Sequence, residues 1–348
     1  MSSVFSVVNT NLIARNFACG KLGRNMIRRL VELRQALFFK QLAAPDQLRT
    51  VDGMREGLLL AALGAVRFSP EVPRQLNEKR KAKSERRRAK SDAFAACDTE
   101  RSVTNLIHAR GLPAAVIAIG FALVARFMGA VTDGGALVGV LIAFVLMLAA
   151  GFAGFIPLFA LFLLTVISTR WGYARKQRLG VAERRRGRTA SQVIANLGAA
   201  AACALPAIWF QELSQVLLAG SMAALAEAAA DTVSSELGQA TARGAYMITD
   251  FRDAPIGTNG AISVEGTISG CVAASIVSWV GAAAGVVDWR WTFVIAFAGI
   301  GGMFLDSIIG ATWENAGKVG NDTVNFVSTV LAADAALITV MIAERLGG

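Results

Sequence analysis

The densest group of chemically active side chains lies where a long Ala-rich segment ends. Glu227 and Asp231 are four residues apart and therefore share one face of a helix. The chain continues with Ser234, Ser235 and Glu236 within about one turn. Mg²⁺ takes oxygen ligands such as these and keeps room for water and substrate phosphates. The group therefore predicts a Mg²⁺ site, and a solvated helix end with capping acids is the alternative.

A turn rich in Gly and Asn follows further along the chain, between Pro255 and Gly260. Such a turn can present its backbone N–H groups to an anion. The residues concerned are Gly257, Thr258, Asn259 and Gly260. An ordinary chain reversal explains the same string of residues. The turn therefore indicates phosphate binding only in combination with other groups.

Further polar side chains lie in or beside apolar segments. Capping of a helix N-terminus explains Asn321 or Asp322. It does not explain Asn325, which is one turn deeper, or Asp306, which lies inside a segment. Amides can also bond neighbouring membrane helices, as Gln192 and Asn196 would at a spacing of four. The remaining candidates are Glu265, at the start of an apolar segment, and Lys318, in a turn.

The composition identifies the elements that must hold these residues. The chain has 348 residues, of which 54% are hydrophobic and 17% charged, with a mean hydropathy of +0.50. A soluble domain has about a quarter charged residues, so a wholly soluble protein is excluded. Continuous apolar runs disfavour a transmembrane β-barrel, whose strands alternate. We predict an all-α polytopic membrane bundle of about eight transmembrane helices, rich in Ala and Gly.

Apolar stretches long enough to cross a bilayer, which takes about 20 residues, occur at 112–131, 134–152, 153–169, 190–210, 213–231, 264–287, 291–311 and 323–343. The second and third are separated so briefly that they predict a tight hairpin. Two pairs of small residues, Gly266 with Gly270 and Gly281 with Gly285, would let helices approach closely.

The polar loops 170–189, 231–263 and 312–322 are predicted to lie on one face of the bundle, with the short connections near 132, 211 and 288 on the other. Loop 170–189 is strongly basic, which predicts that its face is cytoplasmic. The N-terminal segment would then lie outside, despite its positive charge.

Residues 1–110 differ from the rest, which predicts two regions: a basic N-terminal extension and a membrane domain at 111–348. The extension holds 21 Lys or Arg and 10 Asp or Glu, and so accounts for the whole net charge of +10. It is predicted to be partly disordered, amphipathic or similar to a transit peptide. We expect a multi-pass protein of a bacterial inner membrane, or of a plastid membrane if the extension is a transit peptide.

Several classes of site are excluded by residue counts. The chain has one His and four Cys, without a CxxC pair or a zinc-ligand spacing. It also lacks the phosphate-binding string GxxxxGK[ST]. We therefore expect no zinc, haem or flavin, and no nucleic-acid partner.

Several motifs, in order, resemble the integral-membrane phytyl-phosphate kinase family, which includes the transmembrane-protein-nineteen-like proteins and many bacterial members of unassigned function. The resemblance covers about residues 112–345. It rests on Asp231-Thr-Val-Ser-Ser-Glu-Leu-Gly238, the 255–260 turn, Glu265-Gly-Thr267, Asp306-Ser-Ile-Ile-Gly-Ala311, Asn321-Asp-Thr-Val-Asn325, and Arg188 with Gln192, Ala195 and Asn196.

The resemblance implies a reaction in which a nucleoside triphosphate, CTP or similar, phosphorylates an isoprenyl monophosphate to the diphosphate. Such a kinase would be surrounded by membrane lipids, and its substrate would be an isoprenyl phosphate. Under this hypothesis Asp231, Glu236 and Asp306 hold Mg²⁺. Phosphates would be bound by Arg188, Lys318, the 257–260 turn, Asn321, Asp322 and Asn325. The alternatives are a transporter or lipid-handling protein without phosphotransferase activity, and a non-catalytic membrane scaffold.

Overall fold

A computed structural model describes residues 103–182 and 187–347, and the predictions on residues 1–102 lie outside this range. The described residues form α1 (Val103–Phe127), α2 (Asp133–Ala150), α3 (Phe155–Arg170), α4 (Tyr173–Arg178), α5 (Ala190–Ala207), α6 (Ser214–Thr241), α7 (Val264–Ala283), α8 (Thr292–Ile309) and α9 (Asn321–Gly347). The first helix thus begins before residue 111, where the membrane domain was predicted to start.

Shorter elements connect these helices. Between α6 and α7 lies an antiparallel sheet in the order β2-β1-β3, formed by β1 (Ala245–Met247), β2 (Asp253–Ala254) and β3 (Ala261–Ile262). Tyr246 of β1 stands opposite Asp253 of β2 and Ile262 of β3. The 3₁₀ turns are Gly151–Gly154, Gln211–Leu213 and Trp289–Trp291, and a π-helical turn, Gly310–Glu314, continues α8.

The predicted membrane bundle is confirmed. Seven stretches of the described chain are long and apolar enough to cross a membrane. The second of them contains both α2 and α3. Gly151, with φ 66°, ends α2, and a Cβ added at Gly154 would lie only 2.4 Å from the carbonyl oxygen of Leu146. The chain therefore folds back between α2 and α3, as the predicted hairpin requires.

The central element is α6, because 89% of its apolar stretch is buried inside the protein. Helices α3, α5, α7, α8 and α9 pack around it. Ala is the commonest of its buried residues, and side chains this small allow five neighbours to approach one axis. The acids at the C-terminal half of α6 are consequently surrounded by other helices.

Close packing between α6 and α7 uses the predicted Gly pair. A Cβ added at Gly270 would lie 2.4 Å from Met303 Sδ and 2.9 Å from the carbonyl oxygen of Ala230. Gly266 approaches the backbone of α6 similarly. Of the second pair, Gly281 packs against Met222, but Gly285 has open space around it and φ 79°, so it ends the segment rather than packing.

We predict that Gly270→Ala lowers the free energy of unfolding by about 1–3 kcal/mol, since the added methyl overpacks the α6–α7–α8 contact. The measurement is the melting temperature of purified protein in detergent. Gly301→Ala is the matched control, because Gly301 is also helical but has nothing within 4 Å of its added Cβ. Equal melting temperatures for the two variants would contradict this packing.

One topological prediction is wrong. The connection 128–132 lies at the same end of the bundle as the segment after α3, because Val131 forms a parallel bridge with Arg188 and Arg170 Nη2 donates to the carbonyl oxygen of Met128 (3.2 Å). The hairpin of α2 and α3 leaves this end and returns to it, so the connections before and after it share one side. We call this end, with the connections 128–132, 171–182, 187–189, 242–263 and 310–320, the loop face.

Candidate functional site

Four carboxylates converge below the loop face. Glu227 is 1% exposed, and its Oε1 has no hydrogen-bond partner. Asp231, one turn further along α6, is close enough to Glu227 and Asp306 for direct charge interaction. Glu314 interacts in the same way with Asp231 and Asp306. We call Glu227, Asp231, Asp306 and Glu314 the acidic cluster.

Neighbouring helices fix the two deeper members of the cluster. The Glu227 side chain lies over Gly302 of α8, where an added Cβ would come within 2.5 Å of its Cγ. Asp306 Oδ2 accepts a hydrogen bond from Ser328 Oγ of α9 (3.2 Å). The site is thus built from α6, α8 and α9, which are far apart in sequence.

Glu314 was missed by sequence reasoning. In an uninterrupted α-helix, at about 100° per residue, residues eight apart point about 80° away from each other, so Glu314 would lie at the edge of the face that carries Asp306. The turn Gly310–Glu314 is π-helical, and each of its residues turns through a smaller angle because its bonds run from i to i+5. This change of pitch brings Glu314 back toward Asp306, and nothing in the sequence alone indicates it.

Arg188 is held beside the cluster by its backbone. Its N–H donates to the carbonyl oxygen of Ala130 (2.9 Å), and its own carbonyl oxygen accepts from Thr132 N (3.0 Å). Arg188 Nη2 donates to Thr232 Oγ1 (3.4 Å), and the guanidinium interacts with the charge of Asp231. The structure therefore brings Arg188 and Asp231 together, as the phosphate-binding hypothesis requires.

Glu236, which was predicted as a metal ligand, is bonded to other partners in the structure. Its Oε2 is ion-paired with Lys176, whose side chain is fully buried, and its Oε1 accepts from Thr169 Oγ1 (3.3 Å). Lys176 Nζ also donates to the carbonyl oxygens of Ser168 (3.1 Å) and Thr169 (2.7 Å). Five residues along a helix separate Glu236 from Asp231, so the two point to different sides of α6.

The predicted trio of Asp231, Glu236 and Asp306 is consequently not assembled. Within residues 103–182 and 187–347, no group of three His, Cys, Asp or Glu side chains is placed to hold a metal ion. Asp231 and Asp306 are close enough for charge interaction, and their role as metal ligands stays a prediction.

The three predicted amide side chains have two different roles: one caps a helix, and two lie between helices. Gln192 forms a capping box with Thr189 at the start of α5, so its side chain is used structurally. Asn325 Nδ2 donates to Asn196 Oδ1 (3.3 Å). In the other orientation of its amide, Asn325 donates to Asp306 Oδ2 (3.3 Å) instead. Asn325 of α9 therefore bonds either Asn196 of α5 or Asp306 of the acidic cluster, depending on the orientation of its amide.

The 257–260 turn is packed between two parts of the loop face. Gly260 has φ 75°, and its added Cβ would lie 2.4 Å from the backbone nitrogen of Ala311, at the π-helical turn. Asn315 Nδ2 donates to the carbonyl oxygen of Asn259 (3.0 Å). This packing places the turn next to the segment that carries Glu314.

The same turn also contacts the segment after α4. Gly257, with φ 88°, approaches Val181, whose Cγ1 would lie 2.4 Å from an added Cβ. The Thr258 N–H donates to the carbonyl oxygen of Pro255 (3.2 Å) and closes the turn. The Thr258 N–H is therefore not available to bind an anion. A backbone anion site in this turn would have to use the other N–H groups.

The remaining predicted residues lie near the loop face without joining the cluster through a hydrogen bond. Ser234 Oγ donates to the carbonyl oxygen of Asp231 (3.1 Å), and Ser235 Oγ accepts from Gln239 (3.2 Å), so both hydroxyls bond within α6. Glu265 lies in the first turn of α7, Asp322 lies in the first turn of α9, Asn321 begins α9, and Lys318 is exposed in the turn before it.

Comparison with known proteins places the chain in a family. The sequence profile described as Integral membrane protein DUF92 matches residues 115–333, which include every member of the acidic cluster. No solved structure matches the chain.

Three relatives are similar over about half of the chain. Uncharacterized membrane protein sll0875 of Synechocystis sp. is 33% identical over 54% of this chain and 74% of its own length. Uncharacterized membrane protein MJ0933 of Methanocaldococcus jannaschii is 31% identical over 54% and 76%. Protein VTE6, chloroplastic, of Arabidopsis thaliana is 33% identical over 55% of this chain and 59% of its own length.

These relatives are membrane proteins of bacteria and archaea and a chloroplast protein. The resemblance drawn from the motifs and the expectation of an integral membrane protein are both confirmed. The chain belongs to the Integral membrane protein DUF92 family.

Proposed function

We propose that this protein is a membrane-embedded lipid-phosphate kinase, which transfers a phosphoryl group from a nucleoside triphosphate to an isoprenyl monophosphate. The observation that carries this proposal is the meeting of Asp231, Asp306 and Arg188 just below the loop face. An isoprenyl phosphate would bring its phosphate to this depth while its tail stays in the bilayer. The resemblance of the motifs to phytyl-phosphate kinases supports the same reaction.

The reaction needs charge neutralisation more than acid–base catalysis. An oxygen of the monophosphate attacks the γ-phosphorus, the bond from that phosphorus to the β-phosphate oxygen breaks, and a nucleoside diphosphate leaves. The attacking oxygen is already ionised, so no general base is required. Catalysis of phosphoryl transfer is largely positioning and electrostatic stabilisation, which suits a site of carboxylates and one Arg.

The residues of the site are of the types that bind Mg²⁺. Mg²⁺ is commonly held by one or two carboxylates together with waters and substrate phosphates, and Asp231 and Asp306 form such a pair. One turn before Asp231, the buried Glu227 Oε1 has no hydrogen-bond partner and could accept a bond from a water bound to the ion. Asp231 and Asp306 would hold the ion, which would neutralise phosphate charge during transfer.

The phosphates would be bound at the rim of the site. Arg188 lies beside Asp231 and can donate to phosphate oxygens as a planar fork. Lys318 and the N-terminal residues of α9, Asn321 and Asp322, lie at the loop face, where the nucleotide would arrive. Asn325 is placed to orient Asp306.

The buried Glu227 also favours the alternative class of function. Ionisable residues inside a membrane bundle frequently mark ion or proton paths, and the chemistry of phosphoryl transfer does not itself require Glu227. A transporter or lipid-handling protein remains the second candidate for this reason.

The test is a reaction with purified protein in detergent, Mg²⁺, CTP or ATP, and phytyl or geranylgeranyl monophosphate. We expect the corresponding diphosphate, detected by mass spectrometry, and no product when Mg²⁺ is omitted. Absence of product with every combination of nucleotide and isoprenyl phosphate would refute the kinase proposal.

A further inference from the structure

The acidic cluster brings four carboxyl groups together. Among the described residues, the charge interactions of its four carboxylates include one cation, Arg188. A lipid phosphate and a nucleotide would each add further negative charge. Charges of the same sign repel strongly at the low effective dielectric of a protein interior. Ionised carboxylates at this site would therefore repel the substrates of the proposed reaction unless cations arrive with them or before them.

Glu227 gives a second, independent observation at the cluster. It is 1% exposed, it lies one turn below Asp231, and its Oε1 has no hydrogen-bond partner. A buried acceptor without a partner costs the full penalty of removing that group from water. Nearly all buried polar atoms in proteins are paired for this reason. A cation with its bound water above Glu227 would supply the missing partner.

Glu314 closes the cluster on the side of the loop face. A Cβ added at Gly310 would lie 3.6 Å from Glu314 Oε2 and 3.2 Å from the backbone nitrogen of Gly260. The carboxylate and the 257–260 turn thus border the same small volume. A phosphate bound by that turn would meet the carboxylate of Glu314, unless a cation lies between them.

We propose that the acidic cluster binds a divalent cation by itself, before any phosphate-bearing substrate, with Glu227 and Glu314 as members of the site. The order of binding rests on the proposed kinase function, whereas the cation site does not. Since no group of three His, Cys, Asp or Glu side chains is placed to hold a metal ion in the described residues, waters would have to complete the coordination until substrate phosphates replace them. This is the coordination that Mg²⁺ favours.

The experiment uses the full chain in detergent, without nucleotide or lipid, and Mn²⁺ as the probe. Free Mn²⁺ is measured by electron paramagnetic resonance during titration with protein. We expect saturable binding that Mg²⁺ competes away. Glu227→Gln and Glu314→Gln should each weaken Mn²⁺ binding about 10-fold or more, the size seen when groups supporting a metal site are removed.

Glu212→Gln is the matched control, because Glu212 lies in the 3₁₀ turn before α6, at the opposite end of the bundle. It should bind Mn²⁺ as the unchanged protein does. Glu314 is only partly buried, so its variant is expected to fold even if the Glu227 variant does not. Mn²⁺ binding that is absent, or that is equal in the Glu314→Gln variant and the control, would overturn the proposal.

The two proposals can fail separately. If the protein forms isoprenyl diphosphate but binds no Mn²⁺ without nucleotide, the cation site is wrong and the kinase function stands. If Mn²⁺ binds as expected but no isoprenyl phosphate is phosphorylated, the kinase function is wrong and the cation site stands. Cation flux in proteoliposomes would then test the transporter alternative.

Discussion

Replacement of Lys176 by Met is expected to lower the free energy of unfolding by about 3–5 kcal/mol, the usual cost of removing one partner from a buried ion pair. The Lys176 side chain is 0% exposed and that of Glu236 is 11% exposed. Loss of the ammonium would leave the Glu236 carboxylate unpaired at the end of the bundle. The measurement is thermal or denaturant unfolding of the purified protein in detergent.

Two comparisons separate this explanation from simple loss of packing. The double variant Lys176→Met/Glu236→Leu should recover most of the lost stability, because an apolar pair of similar volume often replaces a buried ion pair without cost. Arg252→Met, which breaks the exposed pair with Asp250, should cost less than about 1 kcal/mol. A double variant as unstable as the single one would show that the ion pair is not the source of the effect.

The pair also fixes the segment that leads to the site. Arg175 of α4 donates to the carbonyl oxygens of Ala240 (3.2 Å) and Ala242 at the C-terminal end of α6. Together with Lys176, it attaches α4 to the last turns of α6. Val181, just beyond α4, contacts Gly257. The Lys176 variant is therefore expected to loosen the 257–260 turn as well.

Asp231→Asn is expected to reduce the rate of isoprenyl phosphate phosphorylation at least about 100-fold. A metal ion contributes several kcal/mol of charge stabilisation in the transition state, and each 1.36 kcal/mol is about tenfold in rate. The substitution keeps the volume of the side chain but removes its charge. The measurement is kcat with saturating Mg²⁺ and nucleotide, together with the melting temperature, which should stay close to that of the unchanged protein.

Glu236→Gln is the informative comparison, because the sequence predicted Glu236 as a ligand of the same metal. Since the structure pairs Glu236 with Lys176, this variant should lose stability but keep its activity per folded molecule. Full activity in Asp231→Asn would refute the metal assignment. Inactive but fully folded Glu236→Gln would show that the correction to the site is mistaken.

The sequence by itself determined the class of structure and three of the four members of the acidic cluster. Hydropathy locates membrane helices because the bilayer requires long apolar segments whose backbone bonds are internal. An acid inside such a segment is costly enough to stand out, which is how Glu227, Asp231 and Asp306 were recognised. Arg188 was found through the resemblance of its motif, and the structure places it beside Asp231.

The tertiary structure decided which acid faces which partner. Glu236 and Asp231 are both carboxylates and lie within two turns of each other on α6. Glu236 is nevertheless ion-paired with Lys176 of α4, whereas the side of α6 that carries Asp231 faces α8 and α9. Glu314 interacts with Asp306 from a π-helical turn, and the pitch of that turn favours the interaction. Hydrophobic periodicity reports the apolar face of a helix, but the pairing of polar groups depends on the packing and pitch of neighbouring helices, which local sequence does not encode.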